Sequence, residues 1–144
     1  MTKNMQPTMT ATEAGWRIEY RIKDTVEQLR DTARLTDESG TDSLPCRWED
    51  DGIDDRVFVE RDYEIVGLDV AEHRDEYFDT VQRYWEKRGY RKTRYHRNDP
   101  YRVMVYTDPD GIRLVLQTDA DGNHLFLGGQ SPCIWPHGTP PQRD

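Results

Sequence analysis

Nucleophilic, acid–base or metal chemistry in this chain would have to come from two cysteines, four histidines and three serines, assisted by carboxylates. The histidines are His73, His96, His124 and His137, and no two share the spacing that sets paired ligands on one helix face. His73 falls beside an apolar stripe, as a structural histidine does, and no metal site is expected. His96 and His124 sit near strand ends, so an enzyme would need them to meet in space beside acids. Ser39, Ser43 and Ser131 lie in no Gly-x-Ser-x-Gly setting, and there is no Gly-rich phosphate loop. The run Asp119-Ala120-Asp121-Gly122-Asn123 has a calcium-loop composition, but its glycine is misplaced and Gln130 stands where a bidentate Glu belongs. It reads as a hairpin turn. These patterns predict no catalytic residue and no cofactor.

The cysteines could act as nucleophiles only as free thiols. Each follows a proline, in Leu44-Pro45-Cys46 and Ser131-Pro132-Cys133. Two isolated cysteines near opposite ends of a folded core suggest one long-range disulfide and an oxidising compartment. Against this, Met1-Thr2-Lys3-Asn4-Met5-Gln6-Pro7 lacks the apolar segment of a signal peptide. Two readings stay open: a mature exported form carrying a new start Met, or a cytoplasmic protein with two reduced thiols.

A chain of 144 residues suits one domain with a real core. Its hydrophobic fraction of 34% is low and its charged fraction of 33% is high, but four Trp, eight Tyr and three Phe supply buried area. A net charge of −8 argues against a nucleic-acid binder, which needs surplus Lys and Arg. The charge is uneven. Residues 37–64 are strongly acidic, whereas 83–102 carry Arg83, Lys87, Arg88, Arg91, Lys92, Arg94, Arg97 and Arg102. Such segments either attract each other across the fold or form an acidic surface that steers a basic partner. No stretch approaches the ~18 apolar residues of a membrane span, so membrane attachment would run through a lipid anchor absent from this chain.

Helices and strands follow from the periodicity of apolar residues. Thr10 and Glu13 have capping-box spacing, and Ala14, Ile18, Ile22, Val26, Leu29 and Ala33 predict a one-sided helix to about Leu35. The polar run Thr36 to Ser43 reads as a loop, and Cys46 to Glu49 as a short strand. An acidic turn over residues 50–55 leads to a strand over 57–68, with Val57, Val59, Tyr63 and Ile65 on one side and Phe58, Glu60, Asp62 and Glu64 on the other. Asp69, with Glu72, caps a second helix that ends at Gly89. Strands over 90–97, 101–107, 112–118 and 124–128 form a meander.

The expected fold is α+β, in the order α-β-β-α-β-β-β-β, with two helices packed on one face of an antiparallel sheet. Residues 1–9 form a disordered arm, 10–135 the single domain and 136–144 a Pro-rich tail. Val103, Val105, Ile112, Leu114, Leu116, Leu125 and Leu127 are assigned to the buried sheet face. The opposite face then receives Phe58, Tyr95, Met104, Tyr106, Val115 and Phe126, more large side chains than a solvated face needs. A covering loop or tail would account for them. So would a binding face for a protein or a small apolar ligand.

The stretch Tyr84-Trp85-Glu86-Lys87-Arg88-Gly89-Tyr90, the Asp110-Gly111 and Asp121-Gly122 turns, and the closing Gly129-Gln130-Ser131-Pro132-Cys133-Ile134-Trp135-Pro136 carry a family likeness. Over residues 12–138 the layout resembles a group of small actinobacterial cell-envelope lipoproteins of largely unknown function, with a cysteine pair and a closing Ser-Pro-Cys motif. The resemblance implies an exported domain on a lipid anchor and flexible tether, and supplies no catalytic residues. The function expected is a non-enzymatic extracytoplasmic binding module, with an immunity or inhibitor role as one version. The alternatives are an envelope enzyme built from dispersed His, Asp and Glu, or a cytoplasmic protein of unrelated role.

Overall fold

The first helix begins at the predicted cap. Thr10 Oγ1 accepts the Glu13 N–H at 3.1 Å, and Glu13 Oε1 accepts the Thr10 N–H at 2.9 Å. In the computed structural model, which describes residues 6–46 and 55–141, this opens α1 (Ala11–Val26). The helix stops well short of Leu35. Arg34 already pairs with Val66, so the chain needs the intervening residues to turn, while Leu29 and Ala33 still pack on the core.

The polar run read as a loop is instead strand β1 (Arg34–Pro45), bulged at two points where it pairs with β2 (Val57–Val66). It is a sheet edge, where charge discourages pairing with other chains and apolar alternation is not required. Of the strand expected over Cys46 to Glu49, only Cys46 is described, just beyond β1. The other three residues, and the acidic turn up to Asp54, lie outside the described residues.

Helix α2 (Val70–Lys87) starts at Asp69, whose side chain accepts the Glu72 N–H, and is closed by Gly89 at φ +81°. Strands β3 (Arg91–Asn98), β4 (Tyr101–Thr107), β5 (Arg113–Thr118) and β6 (Leu125–Gln130) follow. The described strands form one antiparallel sheet in the order β1-β2-β6-β5-β4-β3. The fold is α+β.

Cross-strand partners share a side of a sheet, so Tyr106, Leu114 and Gly129 point the same way. Trp85 of α2 meets Tyr106 with ring centroids 5.4 Å apart. Ile18 of α1 approaches Gly129 so closely that a Cβ there would lie 2.7 Å from Ile18 Cγ2. Trp85 Nε1 donates to Thr25 Oγ1 at 2.9 Å, joining the two helices.

This geometry corrects the face assigned to β4. Met104 and Tyr106 are fully buried opposite Leu116 and Leu114, and Tyr95 pairs with Met104 and leans on Phe78. All three belong to the core side. Val103 and Val105 occupy the other side.

Cys46 and Cys133 form a disulfide across 87 residues, with Cα atoms 6.0 Å apart. Beside it Ile134 bridges Val57 through two backbone hydrogen bonds of 2.8 and 2.9 Å. The Trp135 N–H then donates to Thr8 Oγ1, and the Thr8 N–H to the Gly138 carbonyl, both at 2.9 Å. The tail therefore holds Thr8, two residues before the cap of α1. Among the described residues, no helix is long and apolar enough to cross a membrane.

Candidate functional site

Three cross-strand rows build the side of the sheet away from Trp85 and Ile18. The central row runs Arg94, Val105, Val115, Gly128, Asp62 from β3 to β2. On one flank lies Thr107, Arg113, Gln130, Glu60, and on the other His96, Val103, Gln117, Phe126, Glu64. Together they enclose a trough of about 500 Å³. Its floor is Val103, Val105, Val115 and Gly128, with Glu60 and Asp62 on one wall and Thr93 and Arg94 on the other. A smaller hollow of about 250 Å³ shares Arg113 and Gln130 and extends the trough to Pro132 and Cys133.

Gly128 matters here for what it lacks. A Cβ at that position would collide with the Asp62 carboxylate, so the glycine lets the carboxylate lie across the sheet. Burial, and then the charge of Glu60, push the Asp62 carboxyl above its ordinary pKa. Glu60 is held by Gln130, which donates to it at 3.2 Å and accepts from Arg113 at 3.4 Å. Among the described residues, neither the Asp62 carboxylate nor the Arg94 guanidinium makes a hydrogen bond or ion pair. Four strand spacings separate them, about 19 Å between their backbones, well beyond the ~8 Å screening length of physiological salt. They cannot neutralise each other.

Several other charges among the described residues are paired. Arg102 reaches Asp75 at 3.0 Å and Asp99 at 2.5 Å, Arg21 reaches Asp108 at 2.9 Å, and Arg61 reaches Asp42 at 2.6 Å. Three tyrosine hydroxyls are held by carboxylates, whereas the buried Tyr77 hydroxyl has no hydrogen-bond partner among the described residues. Tyr106 donates to Glu86 at 2.5 Å, and burial, reinforced by that bond, pushes its pKa up to about 12. Tyr63 donates to Glu19 at 2.6 Å, and Tyr84 to Asp24. These three hydroxyls make structural contacts.

Of the six residues expected on a binding face, Phe58, Val115 and Phe126 do lie on the trough side, Phe58 only 8% exposed. Tyr95, Met104 and Tyr106 do not. The surface is therefore a bipolar trough with an apolar floor. His96 and His124 are not brought together: His96 is on β3, three strand spacings (about 14 Å) from β6, which His124 precedes. His124 instead faces Glu64, with Nδ1 3.0 Å from Oε2. Among the described residues, no three His, Cys, Asp or Glu side chains gather as metal ligands.

Sequence reasoning did not single out Arg94, Asp62 or Gly128. The alternation of β2 already put Asp62 on the right side, but its pairing with Gly128 depends on β2 lying beside β6. No family model matches this chain, and neither a curated protein nor a solved structure matches it.

Proposed function

We propose that this protein is a non-enzymatic binding module of the cell envelope, of the lipid-anchored kind that its closing Ser-Pro-Cys motif resembles. In this reading both helices cover one side of the sheet, and the trough on the other side is the working surface. The disulfide supports an oxidising, extracytoplasmic setting. The observation that carries the reading is the pair of unneutralised charges, Arg94 and Asp62, at opposite ends of an apolar floor.

Such a floor suits an extended polypeptide segment of about six residues at ~3.3 Å each, laid across the strands. Its acidic end would meet Arg94 and its basic end Asp62 and Glu60. A basic toxin or enzyme loop presented this way would make the module an inhibitor or immunity protein. The dispersed-histidine enzyme has no comparable support, because His96 and His124 stand apart.

The test is amide NMR with three synthetic six-residue peptides: acidic, basic, and one carrying opposite charges at its two ends. The mixed-charge peptide should shift the Val105, Val115 and Gly128 resonances and bind at least about tenfold more tightly than the others, which corresponds to ~1.4 kcal/mol. Val115→Arg, which fills the floor without touching the core, should abolish those shifts. Absence of trough shifts with every peptide, or unchanged binding by the variant, would overturn the assignment.

A further inference from the structure

The two exposed large hydrophobic side chains among the described residues sit together on α1: Trp16 is 74% and Tyr20 57% exposed. Residues three and four apart share a helix face, so Glu13, Trp16, Tyr20, Lys23 and Glu27 form one stripe, all of it exposed. The opposite stripe, Ala14, Ile18, Ile22 and Thr25, is buried. Helix propensity does not require an aromatic pair on the wet side, and an exposed apolar pair of this size is characteristic of a contact surface.

The pair stands as a ridge between two hollows. One, of about 200 Å³, lies against Arg17, Arg21 and Asp110. The other, of about 500 Å³, lies against Glu19, Lys23, Glu38 and Tyr63. Both flanks are largely neutralised from within. Arg17 and Arg21 each reach Asp110 at 3.4 Å, and Glu19 receives the Tyr63 hydroxyl at 2.6 Å and Arg61 at 3.5 Å. The ends of the ridge carry charge of opposite sign: Glu13, which caps the helix and lies 4.0 Å from Arg17, on one side of the aromatics and Lys23 on the other.

We infer that Trp16 and Tyr20 form a self-association site that joins α1 to α1 of a second copy, antiparallel, about a two-fold axis between the two aromatics. That operation seats Trp16 on the partner's Tyr20 and Glu13 opposite the partner's Lys23, and does so twice by symmetry. A parallel pairing would oppose Lys23 to Lys23 and Glu13 to Glu13. The order Glu, Trp, Tyr, Lys is its own complement when reversed, which selects a second copy over an unrelated partner. An anionic bilayer is disfavoured because Glu13 and Glu27 lie on the same stripe as the aromatics. A ridge one helix wide makes a small contact, of the class below ~1,200 Å² that holds weak and transient complexes, so the dimer forms only at high protein concentration. The site shares no residue with the trough and does not depend on it.

Sedimentation equilibrium of the full chain, up to about 1 mM because the interface is small, tests this directly. The wild type should dimerise, and Trp16→Ser/Tyr20→Ser should raise Kd at least about tenfold, as loss of two anchors does. Both positions are exposed, so an unchanged Tm confirms that the fold is intact. Glu13→Lys and Lys23→Glu should each weaken self-association, whereas mixing those two variants should restore a heterodimer, because each contact then again pairs opposite charges. Because Glu13 also caps α1, circular dichroism must show the helix retained, and Glu13→Gln, which keeps a capping side chain, should weaken the dimer without loss of helix. A wild type that stays monomeric throughout, that dimerises regardless of Trp16 and Tyr20, or that instead binds anionic phospholipid vesicles through them, would overturn the proposal.

Discussion

His124 and Glu64 form an exposed pair whose strength depends on pH. The hydrogen bond to Glu64 holds the imidazolium above the ordinary histidine pKa against the cost of desolvation, and the charges of Asp119, Glu64 and Asp121 add to it. A histidine whose folded pKa is raised stabilises the fold fully below its unfolded value near 6.5, and that contribution disappears as pH rises through the higher folded value. An NMR titration should therefore place His124 above ~6.5 and show it falling toward that value in Glu64→Gln. The stability difference between wild type and Glu64→Gln should be largest in mild acid and vanish at alkaline pH. A His124 titration indifferent to Glu64→Gln would show that the pair is not formed in solution.

At the level of elements, the seat of α1 depends on a missing side chain. Gly129 takes the cross-strand position facing Ile18, and an alanine there would set its Cβ 2.7 Å from Ile18 Cγ2 and 3.4 Å from Leu114 Cδ2. A β-branched residue in a helix has little χ1 freedom, so α1 would have to lift. Gly129→Ala should cost about 1–3 kcal/mol in urea unfolding, as overpacking does. In an Ile18→Ala background the same substitution should cost less than ~0.5 kcal/mol, because the colliding methyl is gone and the two sites are coupled. Equal cost in both backgrounds would place the strain elsewhere. This packing was only partly legible beforehand. In β5, Leu114 and Leu116 alternate with Arg113 and Gln117, so its buried side is plain in the sequence. In β4 both parities are apolar, Val103 and Val105 against Met104 and Tyr106, and hydrophobicity alone selects neither. What decides is the turn: Asp108 Oδ1 accepts the Asp110 and Ile112 N–H groups, and the hairpin closes with Thr107 opposite Arg113. That pairing puts Tyr106 opposite Leu114 and on the core side. The charged β1 was unreadable for another reason, since an edge strand with two bulges has no period to detect.

For the whole molecule, the strand order explains both the hidden trough and the role of the disulfide. β2 lies beside β6, yet β2 ends at Val66 and β6 begins only at Leu125, so no local pattern encodes that neighbour. Only this pairing brings Asp62 next to Gly128 and sets the acidic end of the sheet four strands from the basic one. The Cys46–Cys133 bond closes nearly the same long loop, from the end of β1 to just past β6. On the chain-entropy account a loop of 87 residues contributes about 4–5 kcal/mol by restricting the unfolded chain. That is a large part of the ~5–15 kcal/mol that holds a typical domain together. Reduction, or Cys46→Ser/Cys133→Ser, should therefore lower Tm by on the order of 15 °C and leave the domain marginal at physiological temperature. Urea unfolding of one preparation with and without reductant measures this, and intact mass after alkylation confirms the redox state. A reduced chain as stable as the oxidised one would remove the energetic reason for an oxidising compartment. A large loss would mean that the β2–β6 pairing, and with it the trough, is secure only where the bond can form.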